Sequence, residues 1–240
     1  MASRKELDSV LEKTGPHFMD CDRVKIEFER KKYLNREDQN KIFDFQPTIA
    51  YKDDEYDVAV LELKPHVANA PFPQALEFFG EVCDGEIHLV GHPGGRQMKE
   101  DSDVTPFWLP RHMHIIYDYV KSLSQWSIAT FPNREDYYED LLKLPRKIMF
   151  HTTFDKGSSG SPGFMLRNEK PCVVLMLRGG TPSCFYENLF PSIVVNDNQK
   201  VEFGYAMSDI YFKMWNSTNS SIKNIASEIF PKWHNPQDPS

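Results

Sequence analysis

The chain has 240 residues, of which 40% are hydrophobic and 26% charged, so it can bury the core of one large domain or two small ones. Its formal net charge of −7 argues against a general nucleic-acid binder, because phosphate binding requires a basic face. No run of eighteen apolar residues is present, which excludes a membrane-spanning helix, and the polar start predicts no signal peptide.

Strand patterns dominate the first hundred residues. Residues 23–29 alternate polar and apolar side chains, which predicts a half-buried strand. Residues 57–63 form a mostly apolar run after an acidic turn and predict a buried strand that opens with Asp57. A third strand is predicted over residues 86–91. It ends at the turn of residues 92–95, where proline and glycine break the ladder.

The second half begins with a weak pattern and then repeats the strand signals. Between Met98 and Lys147 aromatic and acidic residues predominate, and we interpret this stretch as a linker or insertion with a helical turn or two at 137–144. Further strands are predicted at 147–154, 172–177 and 200–206. Many short strands separated by turns indicate an antiparallel all-β barrel or sandwich.

The C-terminal part has a different period. Apolar residues at helical spacing predict helices over residues 208–215 and 220–230. The tail, residues 231–240, contains three prolines and is expected to be loose.

The cysteines and histidines predict no metal and no cofactor. The four cysteines (Cys21, Cys83, Cys172 and Cys184) are widely spaced and form no CxxC motif, so free thiols in a reducing, intracellular compartment are expected. The sequons at Asn216 and Asn219 are then expected to be unglycosylated. The short histidine pairs lack the HExxH pattern of a zinc site.

The segment from Phe154 to Phe164 is the strongest candidate for chemistry. A glycine- and serine-rich run is common in linkers, and that interpretation stays open from the composition alone. Strands flank this run closely, however, and Pro162 restricts its backbone. A tight turn that presents Ser159 between Gly157 and Gly160 suits a nucleophile, because the glycines let two backbone N–H groups point at a developing oxyanion.

Two serine-nucleophile architectures compete for this segment. The elbow of α/β-hydrolases has the pattern G-x-S-x-G and a later histidine, but its last glycine is replaced here by Ser161, and His234 in the tail is the histidine that follows Ser159. The trypsin-like pattern G-x-S-G-x-P fits residues 157–162 at every fixed position. Asp57 opens an aliphatic strand about 100 residues before Ser159, as the acid of a trypsin-like triad does.

Five segments together resemble one group of proteases, the intracellular trypsin-like "family with sequence similarity" proteases. The segments are 24–28, 56–63, 87–95, 154–162 and 201–207, and the similarity spans roughly residues 20 to 215. The resemblance implies a chymotrypsin-like double β-barrel with C-terminal helices and endopeptidase chemistry. It assigns Ser159 as nucleophile, Asp57 as triad acid and the amides of Gly157 and Ser159 as oxyanion donors.

The resemblance also implies a domain layout and partners. Residues 1–100 are expected to form a partial N-terminal barrel with the acid, 101–146 an inter-barrel linker, 147–215 the C-terminal barrel with the nucleophile, and 216–240 a helix and loose tail. The expected substrates are proteins and peptides, with nucleic acid met only through DNA-bound substrate proteins. A nuclear or cytoplasmic location, no membrane association and a possible homo-oligomer complete these expectations.

The general-base histidine is not identifiable in the sequence. It should precede the acid in a T-x-x-H context, and no such motif is present. The spacing in the family places the base at or just before Met1, whereas His17 has too few residues before it for the strands that come first. The expected function is therefore a trypsin-like serine endopeptidase without an identified base, with a catalytically inactive, protease-like binding module as the alternative.

The substrate pocket is expected to be uncharged. The position six residues before the nucleophile is Thr153, where an acid would select lysine or arginine. The far wall is expected from Arg178, Gly179 and Gly180, whose glycines leave room for a side chain. Such a pocket favours an aromatic or large aliphatic residue at P1.

Overall fold

Strands predominate in the part of the chain that the structure describes, and three helices accompany them. The computed structural model describes residues 26–27, 42–65, 72, 74–108, 113–139, 141, 147–154, 157–182, 185 and 192–234. The strands are β1 (Ile26–Glu27), β2 (Ile42–Phe43), β3 (Phe45–Asp53), β4 (Val58–Leu63), β5 (Phe78–Gly80), β6 (Ile87–Gly91), β7 (Lys99–Val104), β8 (Pro106–Trp108), β9 (Lys147–Phe150), β10 (Pro162–Arg167), β11 (Lys170–Gly180), β12 (Glu202–Ala206) and β13 (Lys232–His234). The helices are α1 (Met113–Thr130), α2 (Met207–Trp215) and α3 (Ser220–Ile229), and short 3-10 turns cover Pro93–Gly95 and Asp197–Gln199.

Strands β6 to β12 close into a barrel. Their order is β7-β6-β10-β11-β12-β9-β8, and every neighbouring pair is antiparallel. The two ends of that order, β7 and β8, are separated along the chain by Thr105 alone. The sheet therefore returns to the segment from which it starts, and closure of this kind removes exposed strand edges.

The barrel interior is filled by one face of each strand. In β6, Ile87 and Leu89 are fully buried and alternate with half-buried neighbours, as expected for a strand with one face in a core. The interior cluster consists of Ile87, Leu89, Val104, Ile148, Phe150, Phe154, Met165, Cys172, Val174, Leu175, Leu177 and Ala206. At Gly204 of β12 a Cβ would lie 2.5 Å from the carbonyl oxygen of Met176, so the close approach of β11 requires glycine there.

The β3–β4 hairpin packs against β12 and the C-terminal helices. Its aromatic residues Tyr51 and Tyr56 share one buried cluster with Tyr205 of β12 and with Ile210 and Met214 of α2. The rings of Tyr56 and Tyr205 meet edge to face, with centroids 5.0 Å apart. The turn of residues 54–57 between β3 and β4, called the Asp57 turn below, is thereby placed against the barrel.

Helix α1 and the residues that follow it pack against β9 and β12. Val120 and Leu123 of α1 pack with Phe131, Tyr138 and other side chains in a second buried cluster, which also includes Met149 of β9. The Tyr138 hydroxyl donates a hydrogen bond of 2.6 Å to the carbonyl oxygen of Gln199. The stretch predicted as a linker thus contributes two strands and an 18-residue helix.

The predicted all-β class with C-terminal helices is confirmed by this arrangement. The predicted strands at 57–63 and 86–91 correspond to β4 and β6, and those in the second half to β9, β11 and β12. The two predicted C-terminal helices are α2 and α3. Of the strand predicted over 23–29, the described residues are Ile26 and Glu27, which pair with β2.

Two expectations differ from the structure. The expected boundary at residue 100 falls inside β7, which pairs with β6, so residues 87–108 belong to the same barrel as Ser159. The tail also differs, because β13 (Lys232–His234) pairs in parallel with β5 instead of being loose. Residues 235–240 lie outside the described part. The pairing of β6 with β10 and that of β13 with β5 join strands that are distant in sequence, which local patterns do not encode.

The described residues before β5 form two separate two-stranded sheets, β1–β2 and β3–β4, and not a closed barrel. The expected incomplete N-terminal barrel stays a prediction, because residues 1–25, 28–41 and 66–71 lie outside the described part. The side chains of Val24, Ile26 and Phe28, on the strand predicted over 23–29, lie outside the described part. None of the helices in the described part combines the length and apolar character needed to cross a membrane.

Candidate active site

Ser159 is exposed on a loop whose neighbouring serines are buried. The Ser159 loop, residues 157–161, directly precedes β10. Ser158 and Ser161 are each only 3% exposed. Gly157 has a φ of 87° and Gly160 a φ of 85°, in the left-handed region that favours glycine. The backbone therefore turns so that Ser159 alone of the three hydroxyls faces outwards.

Backbone hydrogen bonds fix this loop to strand β11. The amide of Gly160 donates to the carbonyl oxygen of Leu177 at 2.6 Å, and the amide of Leu177 donates to that of Ser161 at 2.9 Å. Within the loop, the amide of Ser161 donates to the carbonyl oxygen of Ser158 at 3.0 Å. The loop is rigid because three main-chain bonds hold its geometry.

Strand β6 and the turn after it pack against the Ser159 loop. A Cβ at Gly91 would lie 2.0 Å from the Ser161 hydroxyl oxygen, so the absence of a side chain at Gly91 makes room for Ser161. On the other side, a Cβ at Gly157 would lie 3.7 Å from the amide nitrogen of Gly95. The predicted Pro-Gly turn at residues 92–95 thus lies directly against the Ser159 loop.

Asp57 lies at the end of the Asp57 turn with a φ of 52°, an uncommon conformation for a residue other than glycine. Its carboxylate oxygen Oδ2 forms an ion pair with Nε of Arg178 at 2.9 Å. Arg178 directly follows Leu177 on β11, and Leu177 is bonded to the Ser159 loop. The structure therefore connects Asp57 and Ser159 through two adjacent residues of one strand.

The Asp57 turn is also held by β12 and α2. The Tyr205 hydroxyl donates to the carbonyl oxygen of Glu55 at 3.2 Å. Lys213 of α2 contacts Oδ2 of Asp53 at 2.7 Å and Oε2 of Glu55 at 2.6 Å, with its ammonium 4.8 Å from the centre of the Tyr56 ring. These contacts fix the turn, and so Asp57, relative to the barrel.

Burial and charge shift several pKa values in this region. Burial raises the pKa of Tyr205, next to the charges of Arg178 and Asp57. Burial would raise the pKa of Asp53, but hydrogen bonds from Lys213, the amide of Tyr56 and the Tyr51 hydroxyl outweigh it and lower the value. Burial and the Asp53 carboxylate together raise the pKa of Tyr51 to about 12.

The histidine side chains that the structure describes bond to groups other than Asp57. The Nδ1 atoms of His88, His92 and His151 lie 2.9 Å from Oε1 of Glu100, 2.9 Å from the carbonyl oxygen of Arg96 and 2.8 Å from that of Lys200. His17 lies outside the described residues. The structure therefore identifies no base among the imidazoles it describes.

The residues predicted for the substrate pocket have unexpected neighbours. Thr153 donates both its amide, at 2.7 Å, and its hydroxyl, at 2.9 Å, to Oδ2 of Asp101 on β7. Gly180 pairs with Glu202 on β12. The guanidinium of Arg178 is ion-paired with Asp57 and not directed at a ligand in the predicted pocket. The sequence contains no local signal for Asp101, because 52 residues separate it from Thr153.

The described cysteines agree with the expected free thiols. Cys83 and Cys172 are both unpaired by disulfides, and burial raises the pKa of the Cys172 thiol. Cys21 and Cys184 lie outside the described residues. Within the described ranges, no three acidic, histidine or cysteine side chains are grouped closely enough to hold a metal ion.

Comparison with known proteins finds similarity to proteases. No family model matches the chain. The chain is 26% identical over 193 residues to the human protein serine protease FAM111B, an alignment that covers 78% of this chain and 24% of that protein, so the chain spans about a quarter of its relative. This similarity agrees with the resemblance inferred from the sequence motifs.

Two solved structures show a more distant likeness. The Rv3671c protease in its inactive form matches with a TM-score of 0.41 and 16% identity, over 75% of this chain and 68% of that one. An inactive serine-to-alanine mutant of Rv3671c from M. tuberculosis H37Rv matches with a TM-score of 0.38 and 16% identity, over 72% and 64% of the two chains.

Proposed function

We propose that this chain carries the nucleophile and the acid of a trypsin-like serine endopeptidase. The observation that supports this most directly is the exposed Ser159 on a rigid loop bonded to β11, the strand whose Arg178 holds Asp57. The likeness to a human serine protease supports the same class. Proteins and peptides are the proposed substrates.

In this proposal each residue has one task. The Ser159 hydroxyl attacks the carbonyl carbon of the scissile bond, and a histidine takes its proton. The amides of Gly157 and Ser159 donate hydrogen bonds to the oxyanion that forms. Asp57 orients the imidazole and stabilises its protonated form, which requires a fixed carboxylate. The contacts of the Asp57 turn with Tyr205 and Lys213 supply that rigidity.

The base in this proposal is a histidine outside the described residues. Asp57 has one carboxylate oxygen, Oδ2, on Arg178, and its Oδ1 is the acceptor proposed for the imidazole Nδ1–H. His17 is a candidate in this sequence. A nuclear or cytoplasmic location, and action on proteins bound to DNA, belong to the proposal because they come from the family resemblance.

A fluorophosphonate probe tests the nucleophile, since it labels a serine that a base activates. Where the base is present we expect labelling at Ser159, with loss in Ser159→Ala. Ser227→Ala is the matched control, because the exposed Ser227 hydroxyl on α3 bonds only to its own helix at Lys223. Labelling that persists in Ser159→Ala would reject Ser159 as the nucleophile.

The same labelling assay tests the roles of Asp57 and of the histidine base. Asp57→Asn should lower the labelling rate by about 10⁴-fold, because the imidazole loses its orientation. Loss of labelling in His17→Ala, with the fold intact by circular dichroism, would identify His17 as the base. Unchanged labelling in that variant would assign the base to another histidine.

A second candidate function is a protease-like binding module without turnover. It is favoured by one observation, the engagement of Asp57 by Arg178 in place of an imidazole. A folded parent chain that the probe fails to label, and that cleaves no peptide from a mixed library, would support this candidate for the 240 residues given.

A further inference from the structure

We propose that Arg178 is a positioning residue that acts through Asp57 and makes the histidine oriented by Asp57 a weaker base. The inference rests on the proposed function, since it concerns the acid and the base of that site. Three observations support it: a bulge that directs the Arg178 side chain, the ion pair of that side chain with Asp57, and the charges around the pair. This role differs from the pocket wall expected from the sequence.

A β-bulge sets Arg178 apart from the ladder between β11 and β12. Leu177 and Gly179, on either side of it, pair with two consecutive residues of β12, so Arg178 is an extra residue in this register. Such an extra residue bends its strand and re-aims its side chain, often beside an active site. Leu177 holds the Ser159 loop through its amide and its carbonyl oxygen. The bulge therefore lies at the point where β11 supports the proposed nucleophile.

The ion pair between Arg178 and Asp57 is partly shielded from water. Nε of Arg178 lies 2.9 Å from Oδ2 of Asp57, and the two side chains are 25% and 34% exposed. The attraction between opposite charges is stronger in such a place than in bulk water. Asp57 has a φ of 52°, and a residue in this uncommon conformation stays there only when its surroundings hold it. The guanidinium thus fixes the carboxylate on one side and leaves Oδ1 to the imidazole of the proposed base.

The charge of the guanidinium also acts on that imidazole. One carboxylate and one further hydrogen bond separate the two groups, a distance of about 6 Å, and a cation so near disfavours a second cation. With an effective dielectric constant of about 40, between that of a protein surface and that of water, this repulsion lowers the pKa of the imidazole by about one unit. A weaker base is neutral at lower pH but accepts the serine proton less readily. Arg178 therefore extends the working range of the site to lower pH and slows its maximal rate.

The charged and titratable groups around this pair come from the Asp57 turn and its strand, from β12 and from α2: Asp53, Glu55, Tyr56, Tyr205 and Lys213. The Lys213 ammonium contacts the carboxylates of Asp53 and Glu55. Burial raises the pKa of Tyr205, the guanidinium of Arg178 lowers it, and the Asp57 carboxylate raises it, so both charges of the pair reach this hydroxyl. In the part of the chain that the structure describes, Arg178 is thus the cation in contact with Asp57.

Titration of the histidines by NMR tests this proposal without any need for turnover. Long-range ¹H–¹⁵N spectra of the ¹⁵N-labelled 240-residue chain follow the imidazoles of its eight histidines. We expect one histidine to titrate about one pH unit higher in Arg178→Gln than in the parent, because the repelling charge is gone. In Arg178→Lys, which keeps the charge, it should titrate within about 0.3 units of the parent. The same histidine should titrate lower than in the parent in Asp57→Asn, because it loses its anion.

A matched control separates this effect from a general loss of charge. Arg167→Gln removes the same charge from β10, where Arg167 donates to the carbonyl oxygen of Glu81, and should leave that histidine as it is in the parent. If Arg178→Gln fails to fold, Arg178→Met, which keeps the aliphatic stem, takes its place. Where Ser159 is labelled, the acid limb of its labelling rate should move to higher pH in Arg178→Gln by the same amount. A merely structural role of Arg178 would change the rate at every pH alike and leave the limb in place.

Eight titrations that are the same in the parent and in folded Arg178→Gln would overturn the proposal. So would a histidine that titrates lower in Arg178→Gln, or one that responds equally to Arg167→Gln. These results are independent of Ser159 labelling. A labelled chain with unchanged titrations keeps the peptidase and loses this role of Arg178. An unlabelled chain in which one histidine responds to both Arg178→Gln and Asp57→Asn keeps this role and loses the nucleophile.

Discussion

Replacement of Lys213 by methionine should destabilise the fold through the Asp57 turn. Lys213→Met keeps most of the aliphatic stem and removes the ammonium that bridges Asp53 and Glu55. The Asp53 side chain is 9% exposed, so its carboxylate loses a charged partner in a poorly solvated place. It keeps hydrogen bonds from the Tyr51 hydroxyl and from the amides of Glu55 and Tyr56.

The magnitude follows from the three contacts of the ammonium. The charge-assisted bond to buried Asp53 contributes about 1.5 kcal/mol, the half-exposed pair with Glu55 a few tenths, and the contact with the Tyr56 ring about 0.5 kcal/mol. The expected loss in the free energy of unfolding is about 2 kcal/mol at pH 7. For a domain of this size, that loss corresponds to a fall in Tm of roughly 5 °C.

The pH dependence of the unfolding free energy follows from the directions of two pKa shifts, those of Asp53 and Lys213. The pKa of Asp53 is lowered in the folded state, so its stabilisation is present above the ordinary value and is lost as the pH falls through the folded value. The pKa of Lys213 is raised, because the bonds to Asp53 and Glu55 outweigh burial, so its stabilisation is lost only as the pH rises through that raised value. The difference between parent and variant should therefore be constant near neutrality and shrink below about pH 4.

Urea unfolding of the parent and of Lys213→Met at several pH values measures this difference. Lys223→Met, an exposed lysine on α3, is the control and should change the unfolding free energy by less than about 0.5 kcal/mol. A loss in Lys213→Met no larger than in the control would refute the reasoning. So would a difference between parent and variant that persists unchanged at pH 3.

The remaining predictions concern the barrel. Gly204→Ala should cost about 2 kcal/mol or more in urea unfolding, because its Cβ would lie 2.5 Å from the Met176 carbonyl oxygen, whereas Gly179→Ala meets atoms no closer than 3.8 Å and should be nearly neutral; equal losses would contradict the described register. Cys172 should react with iodoacetamide much more slowly than Cys83 in native protein, since it is buried and its pKa is raised. Peptide mapping by mass spectrometry measures both rates, and faster modification of Cys172 would show that β11 is more open than described.

Local sequence patterns were sufficient to predict the elements nearest to Ser159 and Asp57. The spacing of Gly157, Ser159, Gly160 and Pro162 predicts a tight turn, and the structure has positive φ angles at both glycines. The aliphatic run after Asp57 predicts a strand, which is β4, and helical spacing predicts α2 and α3. These features depend on residues within a few positions of one another, so their period and turn chemistry are readable from the chain.

Only the tertiary structure decided what these elements contact. Contacts between residues far apart in sequence close the barrel through β7 and β8 and pair Asp57 with Arg178. Such contacts also bring Asp101 to Thr153 and Glu202 to Gly180. Each depends on strand register, and a shift by one residue would turn every side chain to the other face. The motif around Ser159 therefore indicates the chemistry, whereas the charge of its surroundings is set by which strands pair and in which register.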